Sequence, residues 1–68
     1  MSNWAKVTDE RQRESVCRDN ARRSDAWADT MEKQGNHEAA QNARDSATRE
    51  RNEAAQHDQK ANEAAKEE

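Results

Sequence analysis

Small and apolar residues recur along the chain at alternating steps of three and four residues. This 3.5-residue period keeps one side of an α-helix turned towards a partner helix and is typical of coiled coils. In the C-terminal half most of these positions are alanine, which lets two helix backbones approach closely. The positions are Ala40, Ala43, Ala47, Glu50, Ala54, His57, Ala61 and Ala64. They predict one arm of a helix pair joined along an alanine-rich seam.

The N-terminal half predicts the other arm, because the same period appears there. Its seam positions are Val7, Glu10, Glu14, Cys17, Ala21, Ser24, Ala28 and Met31. From Cys17 to Ala28 they are small, which again permits close approach. Val16, Asn20 and Trp27 adjoin this stripe and widen the surface that faces a neighbour.

One short segment, Gln34-Gly35-Asn36, separates the two arms. Glycine suits the left-handed residue after a helix end, and asparagine caps the next helix. We therefore predict an all-α, antiparallel two-helix hairpin, with helix 1 at about 4–34, the turn at 34–36 and helix 2 at about 37–66, in a single domain over 1–68. The alternative is one continuous helix through Gly35, since a glycine costs only about 1 kcal/mol in a helix interior.

Composition suggests that one hairpin alone buries too little apolar surface. The 68 residues include no Leu, Ile, Phe, Tyr or Pro, and 40% of them are charged. Most bulky apolar residues belong to the first arm, so we expect first arms to meet in a homodimer that resembles a four-helix bundle. The expected packing and dimer residues are Val16, Cys17, Ala21, Ala28, Ala40, Ala43, Ala47, Ala54 and Ala61.

Charge and apolar content limit the partners. The net charge is −3, and no polybasic face emerges, so nucleic acid is not the expected partner. Arg11, Arg18 and Arg22 share a helix face, but acids are interleaved with them, which favours a solvated, salt-bridged surface. No apolar run is long enough for a membrane span or signal peptide, and a single cysteine forms no internal disulfide, so we expect a cytoplasmic protein.

Catalysis is not expected, because two alanine-lined helices leave no room for a water-limited pocket. Cys17 is interpreted as a packing residue, with a redox or nucleophilic role as the alternative. His57 is interpreted as a polar spacer on the seam, with a pH response as the alternative. Cysteine and histidine are too scattered to predict a metal site, and no cofactor is expected.

Trp27, Met31 and Arg23, with Asn20 two turns before Trp27, form the most distinctive cluster, because tryptophan and arginine are enriched in binding hot spots. Arg22 is a further candidate contact residue. A helix that offers them within about two turns is suited to docking into a groove of another protein. Trp4 is a second candidate anchor. The alternative for Trp27 is that it closes the dimer core, and the sequence leaves open which tryptophan is exposed.

In size, lack of catalytic residues and helix-hairpin make-up, the chain resembles the small accessory proteins that temperate bacteriophages express to disable host proteins. That resemblance implies an inhibitor of a bacterial transcription or quorum-sensing regulator, or of defence or pilus machinery, acting in the host cytoplasm. The segment NEAAQHDQKANEAAKEE is similar to hydrophilic late-embryogenesis-type stress proteins. One alternative function is therefore a stress-protective or structural helix. The other is a small nucleic-acid-binding regulator that uses Arg11, Arg18 and Arg22.

Overall fold

Two long helices joined by a tight turn make up the computed structural model, which describes residues 3–67. Helix α1 is Trp4–Lys33 and helix α2 is His37–Ala65. Together they form a rod of 54 × 13 × 9 Å. The predicted all-α antiparallel hairpin is confirmed, and each helix boundary lies within one residue of its expected position.

An asparagine precedes each helix, and its side chain caps the first turn. Asn3 Oδ1 accepts a hydrogen bond of 3.2 Å from the Lys6 amide, and Asn36 Oδ1 accepts one of 3.2 Å from the Ala39 amide. Each bond satisfies an amide that has no partner within its own helix. The two caps therefore fix where each arm begins.

The turn ends α1 with the hydrogen-bond pattern of a Schellman motif. The Asn36 amide donates to the Met31 carbonyl at 2.9 Å, and the Gly35 amide donates to the Glu32 carbonyl at 3.0 Å. Gly35 has a φ of +79°, a left-handed conformation that a side chain disfavours. The continuous-helix alternative is therefore wrong, because the backbone reverses at Gly35.

The seam predicted from the sequence forms the interior of the hairpin. Five alanines of α2 have no exposed surface: Ala40, Ala47, Ala54, Ala61 and Ala64. The buried residues of α1 are Glu10, Cys17, Ala21, Ala28 and Met31. Met31, Ala28 and Ala40 form a cluster near the turn, with Ala39 and Ala43 packed against it. Methyl groups thus fill most of the space between the helices.

The end of the hairpin distant from the turn is tied by the backbone. The Asn3 amide donates to the Ala64 carbonyl at 3.2 Å, so a group at the start of α1 satisfies a carbonyl near the end of α2. Lys6 lies 3.9 Å from Glu67 at the same end. Within residues 3–67, neither helix combines the length and apolar character needed to cross a membrane.

Candidate functional site

His57 interrupts the alanine seam of α2 and forms a polar contact with α1. His57 Nδ1 of α2 lies 2.5 Å from Glu10 Oε2 of α1. Glu10 is only 9% exposed and His57 is partly buried. The polar spacer at His57 thus has a specific partner on the opposite helix.

One flank of the seam is closed by ion pairs that join the helices. These pairs are Arg11 with Asp58, Asp25 with Arg51, and Glu32 with Arg44. The three α1 positions are separated by multiples of seven residues, as are the three α2 positions, so all lie on the same side of the hairpin. We call this the ion-paired side.

The opposite flank, which we call the open side, has a different character. It is formed by the heptad-related positions Arg13, Asn20 and Trp27 of α1 and Ala39, Ser46 and Glu53 of α2. No ion pair joins these six residues across the helices. Small and neutral side chains near the turn leave the seam accessible, so the surface is recessed there.

A shallow groove on the open side lies beside Trp27. Its lining is Arg23, Ser24, Trp27, Ala39, Asn42, Ala43 and Ser46. Trp27 is 56% exposed, and Arg23 is the only charged residue of the lining. The groove therefore pairs a large exposed aromatic ring with a floor of methyl and hydroxyl groups.

A second cleft on the open side surrounds Cys17. It is lined by Asp9, Gln12, Arg13, Val16, Cys17, Asn20, Glu50, Glu53 and His57. Cys17 Sγ lies 3.7 Å from Glu53 Oε2. Burial, and then the nearby Glu50 and Glu53 carboxylates, raise the pKa of the Cys17 thiol. An uncharged thiol is therefore the resting form at neutral pH.

The sequence-predicted binding residues do not form one surface. Trp27 and Arg23 line the same groove, but Met31 is 7% exposed and belongs to the interior. Arg22 lies 2.5 Å from Asp19 and lines a small depression with Arg18, Ala21 and Arg51. Trp4 is 64% exposed, and its position seven residues before Arg11 places it on the ion-paired side.

The expected packing residues also do not all lie in one place. Cys17 and the alanines lie along the seam, whereas Val16 is 58% exposed beside the Cys17 cleft. Sequence reasoning missed the contribution of Glu50 and Glu53 to that cleft. The sequence could have indicated this contribution through the antiparallel register. With the turn placed at Gly35, both glutamates lie opposite Cys17.

Comparison of the chain with protein-family models, curated proteins and solved structures gave no match.

Proposed function

We propose that this hairpin is a non-enzymatic binding protein that docks another protein on its open side, with Trp27 as the anchor. The observation that supports this most directly is the exposure of Trp27 beside a groove of small side chains. Tryptophan is enriched among the residues that dominate the binding energy of protein interfaces. Leaving more than half of it in water is otherwise unfavourable.

The groove chemistry favours an amphipathic helix as the docking element. Ala39, Ala43 and Ser46 let a third helix approach the hairpin closely, as in helix-in-groove recognition. Within residues 3–67 no carboxylate forms an ion pair with Arg23, so its guanidinium is available to the partner. A helix with an apolar ridge and an acidic residue at its edge matches this surface.

The proposed consequence of docking is modulation or inhibition of the partner. A bacterial cytoplasmic regulator is the class of target to test first, because the sequence resembles phage accessory proteins in size and helical make-up. A regulator helix that is held in the groove of this rigid hairpin cannot contact its other partners. The function is therefore exerted by competition and requires no chemistry on the target.

Affinity capture from a bacterial lysate tests the proposal when the wild-type chain is compared with Trp27→Ala and Trp4→Ala. Trp4→Ala is the matched control, because Trp4 is also exposed but lies on the ion-paired side, away from the groove. A captured protein is then purified and its dissociation constant measured against all three chains. We expect Trp27→Ala to weaken binding about 30-fold or more, which corresponds to roughly 2 kcal/mol.

Arg23→Gln should weaken the same complex less, and the loss should shrink as salt is raised. Light scattering on each variant checks that its own association state is unchanged. Equal binding by wild type and Trp27→Ala, or equal losses from Trp27→Ala and Trp4→Ala, contradicts the proposed site.

A further inference from the structure

The Cys17 cleft brings together three metal-ligating side chains from both helices. Cys17 Sγ and one carboxylate oxygen each from Glu50 and Glu53 all lie within 4.8 Å of one another. Cys17 belongs to α1 and the two glutamates belong to α2. Their donor atoms therefore converge across the seam at the middle of the hairpin.

His57 lines the same cleft, but its imidazole faces α1. Its Nδ1 lies 2.5 Å from Glu10 Oε2, and neither ring nitrogen belongs to the set of donor atoms that lie within 4.8 Å of one another. The converging donors of the cleft are therefore the Cys17 thiol and the two carboxylates.

The cleft also has an unbalanced charge. No ion pair reaches Glu50 or Glu53 within residues 3–67, and the one arginine of the lining, Arg13, lies 3.0 Å from Asp9. The two carboxylates therefore lie beside a buried thiol, and neither has an ion-pair partner among residues 3–67. A divalent cation neutralises the two carboxylates and favours the thiolate over the thiol.

We propose that Cys17, Glu50 and Glu53 bind a zinc ion, with water as the fourth ligand. Zinc fits because it accepts sulfur and carboxylate ligands together in a four-coordinate site. Calcium and magnesium are disfavoured because they take oxygen ligands. The ion links α1 to α2 where the seam is most polar, so its binding stabilises the hairpin. This inference does not depend on the proposed docking function.

Zinc and cobalt titrations of the full chain under reducing conditions test the site. Cobalt is expected to bind at one ion per chain and to give a sulfur-to-cobalt charge-transfer absorption, which reports thiolate ligation. Zinc is expected to displace cobalt and to raise the midpoint of thermal unfolding. Cys17→Ser should abolish the charge-transfer band and weaken zinc binding at least about 10-fold.

Two further variants keep the test independent of folding. Glu53→Gln alters an exposed side chain and should weaken zinc binding while the helical circular dichroism stays unchanged. His37→Gln is the matched control, because it removes the histidine outside the cleft, and it should bind zinc as the wild type does. The proposal is overturned if the chain does not bind zinc, if His37→Gln weakens zinc binding as much as Glu53→Gln does, or if one ion is shared between two chains.

Discussion

Alanine at the seam determines how closely the two helices pack. The five α2 residues with no exposed surface are all alanines, so each contributes one methyl group to the interior. A methyl group gains little transfer free energy but leaves no room for a larger neighbour. The interior therefore tolerates enlargement of a seam side chain poorly.

Ala47→Leu should destabilise the hairpin by about 1–3 kcal/mol, because the added atoms force the helices apart. Ala47 has no exposed surface, whereas Ala55 on the same helix is exposed. Ala55→Leu is the matched control and should leave the stability nearly unchanged. Urea unfolding at fixed protein concentration measures both, and an equal effect of the two variants contradicts the seam packing.

Glu14 links side-chain hydrogen bonding to acid stability. Its carboxylate accepts hydrogen bonds from Arg11 at 2.8 Å and Arg18 at 2.9 Å. These guanidinium groups hold the pKa of the Glu14 carboxyl below its ordinary value of 4.5. Because the folded pKa is the lower one, this stabilisation is complete above the unfolded pKa and is lost as pH falls through the folded pKa.

Glu14→Gln should therefore lower the melting temperature at neutral pH, and the difference from wild type should shrink and disappear as the pH falls through the lowered pKa of Glu14. Asp29→Asn is the control, since no ion pair involves Asp29 within residues 3–67. Circular dichroism melts across this pH range give the measurement. A difference in melting temperature between Glu14→Gln and wild type that persists in acid contradicts the assigned role of Glu14.

At the scale of the elements, the hairpin is defined by its caps and by one glycine. Asn3 and Asn36 start the helices with equivalent hydrogen bonds, and the positive φ of Gly35 turns the chain back. These signals act over a few residues, so each arm is terminated locally. The long-range packing then needs only to bring two preformed faces together.

Gly35→Ala should cost about 1–2 kcal/mol, because an L side chain disfavours the left-handed conformation. A Cβ at this position meets no atom within 4 Å, so the cost is conformational and involves no steric clash. Gly35→Asn should cost less, since asparagine tolerates this conformation. Thermal melts rank the three chains, and equal stability of the alanine and asparagine variants contradicts this account.

At the scale of the whole molecule, the rod is narrow and its large apolar side chains lie mostly outside the interior. Trp4, Val16 and Trp27 are each more than half exposed. Small domains with so little buried apolar surface commonly gain stability by association. The homodimer predicted from the sequence therefore stays a prediction, and these exposed residues supply a physical reason for it.

We expect sedimentation equilibrium to show a homodimer at micromolar concentration and the melting temperature to rise with protein concentration. Val16→Asp should weaken self-association, whereas Ala26→Asp on an exposed position of the same helix should not. A cooperatively folded monomer contradicts the prediction. A coil-like circular dichroism spectrum in dilute buffer instead favours the stress-protective alternative.

The local sequence was sufficient for the hairpin. The 3.5-residue period fixes which side of each helix is buried, and Gly35-Asn36 fixes where the chain reverses. Both are short-range properties of backbone geometry and side-chain size, so residues from Val7 to Ala64 reach the seam as the pattern predicts. The same reasoning identified Trp27 as a candidate anchor but left its exposure open, and the structure shows that Trp27 is 56% exposed.

Only the tertiary structure decided which side chains share a surface. Arg22 and Arg23 are neighbours in sequence, yet one lines the depression beside Arg51 and the other lines the Trp27 groove. Glu10 meets His57, and Glu53 meets Cys17, across the seam. A heptad pattern sets the rotation of each helix about its own axis, but the axial offset between two helices and the side-chain conformations across them arise only when the helices pack.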